Sequence, residues 1–338
     1  MTSVVPMSAK RLLLAWALMT LAACSGSMGV PRPYMPAVGG WIPQDATTKS
    51  LGLGLPGGAV LADGVTFAGG IEIVADAGSP LHSLSDVKLT GDGGFISVSD
   101  VGDLVRAELR LDAAGKLIGI DGPRARRLTL LDGTPIADKQ YGDSEGLALL
   151  PDGELLVSFE RNHRIWNYGP LAALRNPTPV RKPDFPFPEN DGMEGTAVAP
   201  HGWRVNGESG GVWDCSIAAC TVVTAPPTPL IADSDFRITG MDRDPAVSPA
   251  AGWFVVQRAY APPFNARARI RRMAADGTLG PVLVELKLPG TTDNFEGVAA
   301  ETRNGPNGEI TRLYILSDDN FNALQRTLML AFDVTPVP

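Results

Sequence analysis

Histidine is scarce in this chain, with three in 338 residues. A three-histidine metal centre would consume all of His82, His163 and His201, so any metal site is expected to rest on oxygen ligands. Cysteine is equally rare, and aromatic residues are only 7% of the chain. Basic residues are outnumbered: Lys and Arg total 29 against 37 Asp and Glu, a net charge of −8. That balance argues against nucleic acid, whose phosphates need a basic face. It suits cations or cationic ligands. No window of 12 or more residues beyond the N-terminal segment shows clean helical periodicity, so no helical domain is expected. Beyond Cys24 no apolar stretch is long enough to cross a bilayer. Turn formers are plentiful, with 38 Gly and 29 Pro, and a hydrophobic content of 44% is that of a globular protein.

The N-terminus reads as an export signal. Lys10 and Arg11 precede an apolar run over residues 12–23, too short to span a membrane and the length of a signal-peptide core. The run ends in Leu21-Ala22-Ala23-Cys24, which resembles the bacterial lipobox, where cleavage precedes a lipid-bearing Cys. The resemblance implies lipidation at Cys24, and the following Ser25 implies the outer membrane. Expected boundaries are a signal peptide over 1–23, a lipidated N-terminus and linker over 24–50, and a folded domain over 51–338. The remaining pair, Cys215 and Cys220, is separated by four residues in an exported chain, which suits a disulfide across a hairpin turn. A loop that small stabilises by about 2 kcal/mol.

A repeat runs through the rest. Segments beginning at Leu84, Ser144, Met193 and Phe295 share one pattern, and a weaker copy begins at Ile238. Each has an acid or Thr, a short apolar strand, a Gly-bearing turn and a second apolar strand ending in a polar residue. The positions Asp86, Glu145, Glu194, Thr239 and Glu296 open these units and lie 59, 49, 45 and 57 residues apart. That spacing is near the blade length of a β-propeller, about 40–50 residues. The expected fold is all-β, a six-bladed propeller behind a lipoprotein signal peptide and flexible tether. The sixth blade would be shared between strands near 66–76 and 327–334.

Ser144-Glu-Gly-Leu-Ala with Pro151-Asp-Gly, Asn190-Asp-Gly-Met-Glu-Gly, Asp293-Asn-Phe-Glu-Gly-Val-Ala and Leu316-Ser-Asp-Asp-Asn-Phe resemble the bacterial phytase-like family, "esterase-like activity of phytase". The resemblance covers about residues 65–335. It implies an exported β-propeller that hydrolyses a phosphate or carboxylic ester, often linked to calcium. Where that family ends its fifth repeat in Glu-Arg, this chain has Gln257-Arg258.

In a propeller, a residue opening the inner strand of each blade sits at one mouth of the central channel. Glu145, Glu194, Glu296 and Asp86 are therefore expected to converge. Three carboxylates about 7 Å apart repel by roughly 2.4 kcal/mol per pair at an effective dielectric near 20. Protonation, Arg pairing or a bound cation must relieve this, and oxygen-only ligands select a hard cation such as calcium. The bland alternative is that each acid caps a neighbouring blade. The second-strand ends add Asp100, Glu160, Arg161, Glu208, Arg258 and Asp318. Arg161, Arg164 and Arg258 are candidate binders of a substrate phosphate or carboxylate. Catalytic candidates are His163, Glu160 and Asp318, with His163 weighed as a general base. Gly207-Glu-Ser-Gly-Gly211 fits the nucleophile-elbow pattern but lacks a following helix, so Ser209 is rejected. The expected partners are a small ester or phosphate, and the membrane through the lipid alone, with the protein a monomer in the periplasm. The competing function is a non-catalytic envelope propeller that binds a protein or glycan.

Overall fold

The computed structural model describes residues 40–246, 252–261, 265–305 and 308–335. The signal peptide and Cys24 lie outside these. Strands account for nearly every element; the exceptions among the described residues are a four-residue helix, Lys139–Gly142, and a 3-10 turn, Leu171–Ala173. No described helix is long and apolar enough to cross a membrane.

The strands form five four-stranded antiparallel units. The first runs Leu84–Leu89, Gly94–Ser99, Asp103–Leu111 and Leu117–Arg127. The second is Ser144–Leu149, Glu154–Phe159, Arg164–Pro170 and Thr178–Val180. The third is Met193–Ala199, Gly202–Gly207, Val212–Cys215 and Cys220–Thr224. The fourth is Arg237–Arg243, Trp253–Ala261, Asn265–Met273 and Leu279–Lys287. The fifth combines Asn294–Gly305, Gly308–Asp318 and Thr327–Val334 with Val65–Ala75 from the start of the domain. Each unit's first strand touches the first strands of the units before and after, and the fifth touches the first, which closes the ring. The arrangement is that of a β-propeller. Tight turns such as Gly91-Asp-Gly-Gly and Pro151-Asp-Gly join first and second strands, as hairpin chemistry requires.

The expected count of six is corrected to five among the described residues. The two segments assigned to a sixth blade do pair, Thr327 opposite Ile73 and Val334 opposite Val65. They are the outer half of the fifth sheet instead. Dividing chain length by repeat spacing counted as a blade several strands that only cover edges. Ile42–Pro43 pairs outside the first unit, Ala46–Ser50 outside the fifth and Ala59–Leu61 outside the fourth. Strands Ile42–Pro43 and Ala46–Ser50, ahead of residue 51, already pair with the sheets. Covering exposed strand edges in this way removes sites of unwanted pairing.

Apolar residues from facing sheets fill the gaps between units. Phe95, Leu84 and Val87 meet Tyr314 and Met329 between the first and fifth units. Phe254, Ile270 and Val284 meet Phe295, Ile315 and Phe332 between the fourth and fifth. The disulfide Cys215–Cys220 joins directly opposed residues of one hairpin, as expected, with Trp213 two residues away on the same strand.

Candidate functional site: an acid-lined channel mouth

The pairing of first and second strands is interrupted at the same place in all five units. The ladder slips between Leu84 and Asp86, beside Glu145, between Met193 and Thr196, between Ile238 and Gly240, and between Phe295 and Gly297. The skipped side chains are Ser85, Glu145, Glu194, Thr239 and Glu296. Such a bulge re-aims a side chain out of the regular pleat and is common beside active sites. The same end of each second strand adds a second set: Asp100, Glu160 and Glu208 just past the last residue paired to the first strand, and Arg258 and Asp318 as the last paired residues of theirs. Antiparallel pairing brings both sets to one end of the ring.

Gly follows the bulge in four units because the next unit's backbone lies against it. A Cβ on Gly146 would sit 2.3 Å from the Glu194 carbonyl oxygen, and one on Gly240 would sit 1.9 Å from that of Glu296. In the first unit this place is held by Asp86, so Asp86 does not join the carboxylate ring; Ser85 stands there. Asp86 Oδ1 accepts from the Val87 N–H at 2.7 Å, and Asp86 Oδ2 accepts from the Leu147 N–H at 2.8 Å and Lys88 Nζ at 2.6 Å. Asp86 thus caps its neighbour. Asp242 does the same for the Ala300 N–H at 2.8 Å. Burial, only partly offset by Lys88, pushes Asp86 up to about 7.

Glu145 feels the charges of Glu194 and Glu296, and Glu194 that of Glu296. The mouth gathers eight carboxyls: Asp100, Asp143, Glu145, Glu160, Glu194, Glu208, Glu296 and Asp318. Against them stand four cations. Lys139 bridges Asp100 and Asp143, and Arg161 pairs with Asp143. Arg237 reaches Glu208 at 3.1 Å and Asp191 at 2.8 Å. Arg258 reaches Glu208 at 2.7 Å, Asn294 Oδ1 at 2.6 Å and Glu296 at 3.8 Å. Among the described residues, Glu145, Glu160 and Glu194 have no ion-pair or hydrogen-bond partner for their carboxylates. Burial first, then the surrounding acids, holds Glu145 and Glu194 well above the ordinary range. The same causes push Glu160 up to about 8. Glu296 is raised by burial to about 7 although Arg258 opposes the shift. Asp318 is raised by burial and by Glu296 and Asp100.

One group in this mouth has the dimensions of a cation site. Oxygens of Asp143, Glu145 and Glu160, all buried, lie within 4.8 Å of one another. Two oxygens on one calcium ion, each 2.3–2.6 Å away, are up to about 5 Å apart, so the set fits a hard dication. Asp143 is placed by the short helix: its N–H caps the helix on Lys139 O at 2.9 Å, and its carbonyl accepts from Glu160 N at 2.7 Å. The sequence reading missed Asp143 because it precedes the repeat pattern; the acid-rich Asp143-Ser-Glu was the available signal. Of the expected metal set, then, only Glu145 belongs to this trio. Glu194 is its strongest charged neighbour, Glu296 lies toward Arg258, and Asp86 lies elsewhere.

The remaining expected residues divide. Arg161 is at the mouth and adopts φ 56°, a left-handed conformation that a non-glycine residue holds only under constraint. Arg258 is also there, tied to acids. Arg164 is not a free anion binder. Its guanidinium stacks over Phe159 at 3.8 Å and Trp166 at 4.2 Å and donates to the carbonyls of Asn162 and Tyr141. His163 donates from Nε2 to Pro188 O at 2.9 Å and packs on Phe187, and burial lowers its pKa. It touches none of the carboxylates. The histidine bordering the cluster is His82, missed in the sequence. Its Nδ1 meets Asp319 Oδ2 and its Nε2 meets Asp76 O at 3.1 Å, so both nitrogens face acceptors, an arrangement that favours the protonated ring. Asp319 accordingly raises the His82 pKa. Ser209 is buried, and strand Val212–Cys215 follows it, so no nucleophile elbow forms.

A five-unit propeller with an acid-lined channel mouth is a class shared by proteins of many activities. The sequence model of the family described as "Phytase-like: Esterase-like activity of phytase" matches residues 79–277, more than half of the chain. The chain belongs to that family. No curated protein matches it. Among solved structures, a candidate gluconolactonase is 15% identical, with 88% of this chain and 96% of that one covered at a TM-score of 0.41. The PQQ-bound aldose sugar dehydrogenase of Streptomyces coelicolor is 14% identical, covering 89% and 100% at 0.36. A glucose dehydrogenase is also 14% identical, covering 86% and 100% at 0.35.

Proposed function

We propose that this protein hydrolyses a phosphate or carboxylic ester at the channel mouth, with calcium held by Asp143, Glu145 and Glu160 and assisted by Glu194. The observation that carries this reading is the convergence of the buried Asp143, Glu145 and Glu160 carboxylates, of which, among the described residues, only Asp143 is ion-paired, to Lys139 and Arg161. Burying such charges unpaired costs several kcal/mol, so a ligand of opposite charge is the natural complement. When bound, the ion supplies charge for polarising an ester oxygen or activating a water. The chain's own contribution is orientation and proton exchange. Lys139, Arg161 and Arg258 are the partly exposed cations at the mouth, with side chains 27%, 30% and 28% exposed. They face an anionic group on the substrate and offset part of the acid excess. Glu296, poised at about 7, can exchange a proton near neutrality. Asp318 and Glu160 remain catalytic candidates, while His163 is committed to Pro188.

The same reading places the protein outside the inner membrane as a monomer, lipid-anchored through Cys24 to the periplasmic face of the outer membrane. The test is a panel of phytate, p-nitrophenyl phosphate and p-nitrophenyl acetate, each with calcium and with chelator. Calcium-dependent turnover of at least one supports the proposal. Calcium binding without turnover of any ester favours the non-catalytic propeller that binds a protein or glycan.

A further inference from the structure

Away from the mouth, the first unit carries two arginines whose placement is costly. Arg106 and Arg124 lie directly opposite each other on adjacent strands, and Arg126 follows two rungs along, opposite Leu104. Like charges facing across a strand pair destabilise it. Nearby arginines are neutralised: Arg110 pairs with Asp121 at 2.9 Å, and Arg127 with Asp103 at 3.2 Å. Arg106, Arg124 and Arg126 have no acidic ion-pair partner among the described residues. The Arg106 guanidinium lies over the ring of Trp41, 5.6 Å from its centroid. Trp41, Arg106, Ala107, Glu108, Gly122 and Arg124 together line a cleft of about 210 Å³. A water occupies roughly 30 Å³ of liquid, so the cleft admits a phosphate-sized group. Glu108 is its single acid.

We infer that this cleft docks the phosphate of an anionic membrane lipid and orients the domain on the membrane. Arginine presents a planar fork suited to phosphate oxygens, and tryptophan favours the membrane–water boundary. The position in the chain fits this occupant. Trp41 stands 17 residues after Cys24. A chain of that length spans at most about 60 Å, and the cleft includes Trp41, at the start of the described domain. The protein as a whole is acidic, which would repel an anionic surface unless a local basic site faces it. The inference uses the lipid-anchor reading for its biological setting, while its physical content stands on the cleft itself.

The test uses the mature chain from residue 24 carrying Cys24→Ser, so that neither the apolar run over residues 12–23 nor a lipid contributes. Sedimentation with vesicles of phosphatidylcholine alone is compared with vesicles containing 30% phosphatidylglycerol. The expected result is binding to the anionic vesicles only, weakened about thirty-fold by Arg106→Ala with Arg124→Ala, two charges near the surface accounting for that factor. The double variant should melt no lower than its parent, since it removes a like-charge pair. Trp41→Phe should retain binding but lose the change in tryptophan fluorescence on contact with vesicles. Equal sedimentation with both vesicle types, no sedimentation, or unchanged binding by the double variant overturns the inference. So does a response to millimolar inorganic phosphate without vesicle binding, which would make the site one for a free anion. Mass analysis of the wild-type N-terminus tests the anchor separately, and an unlipidated Cys24 would refute that reading without altering the vesicle result.

Discussion

Replacing Glu160 with Gln should stabilise the metal-free protein and weaken it relative to wild type when calcium is present. Glu160 is buried, has no hydrogen-bond or ion-pair partner for its carboxylate among the described residues, and is pushed up to about 8 from 4.5. An acid whose folded pKa is raised favours folding least when it must ionise: the unfolded state releases its proton first as pH rises above 4.5, and stability falls until the folded pKa is passed. At pH 7 that is about 2.5 pH units above the unfolded value, or roughly 3 kcal/mol at 1.36 kcal/mol per unit. Gln preserves the shape and removes the titration. For a domain near 290 residues, the per-residue unfolding entropy converts 3 kcal/mol into a rise of about 5 °C in Tm. Scanning calorimetry in chelator at pH 5 and pH 7 should show little difference between the two proteins at pH 5 and the full difference at pH 7. In millimolar calcium the order should reverse, because a ligand that binds only the folded state stabilises wild type more. A Gln variant less stable than wild type in chelator at pH 7 would refute this reasoning. It would mean that the Glu160 carboxylate is a satisfied cap.

The other predictions are more local. His82 is raised above 6.5 by Asp319, so its contribution is complete below pH 6.5 and is lost as pH rises through the folded pKa. The stability gap between wild type and His82→Ala, about 2 kcal/mol for a charged hydrogen bond, should therefore shrink between pH 6 and pH 9 in denaturant titrations. Gly240→Ala should cost about 3 kcal/mol or prevent folding, because its Cβ would lie 1.9 Å from the Glu296 carbonyl, and urea midpoints will measure this. Intact mass should rise by two hydrogens when Cys215–Cys220 is reduced, and a count of two free thiols in the unreduced, unfolded protein would contradict the bond.

The repeat was readable because each inner strand keeps its own signature of acid or Thr, Gly, apolar strand and Gly-bearing turn. Convergence of Glu145, Glu194 and Glu296 followed from that spacing alone. The register of the first unit was not readable. Ser85-Asp86 offers the acid one place late, and only the bulge decides that Ser85 faces the mouth while Asp86 turns to Lys88 and Leu147. The unit count failed because Val65–Ala75 and Thr327–Val334, expected to share a sixth blade, do pair but attach to Gly308–Asp318 and complete the fifth sheet. Asp143 and His82 were hidden for a related reason. They come from connections between units, where no repeat marks them, and they reach the site through a short helix and through the ring closure beside Asp319. His163 and Arg164 looked available in sequence, but adjacent carbonyls and aromatic rings occupy both.

The most direct test of the central claim is calorimetric titration of calcium into chelator-treated protein, alongside Glu145→Gln and Asp86→Asn. The account predicts saturable binding to wild type and its loss in Glu145→Gln, whose carboxylate lies in the trio with Asp143 and Glu160. Asp86→Asn should bind calcium as wild type does, because Asp86 is bonded to Lys88 and the backbone away from the ring. Absence of calcium binding by wild type, or equal binding by Glu145→Gln, would contradict a cation site at the channel mouth.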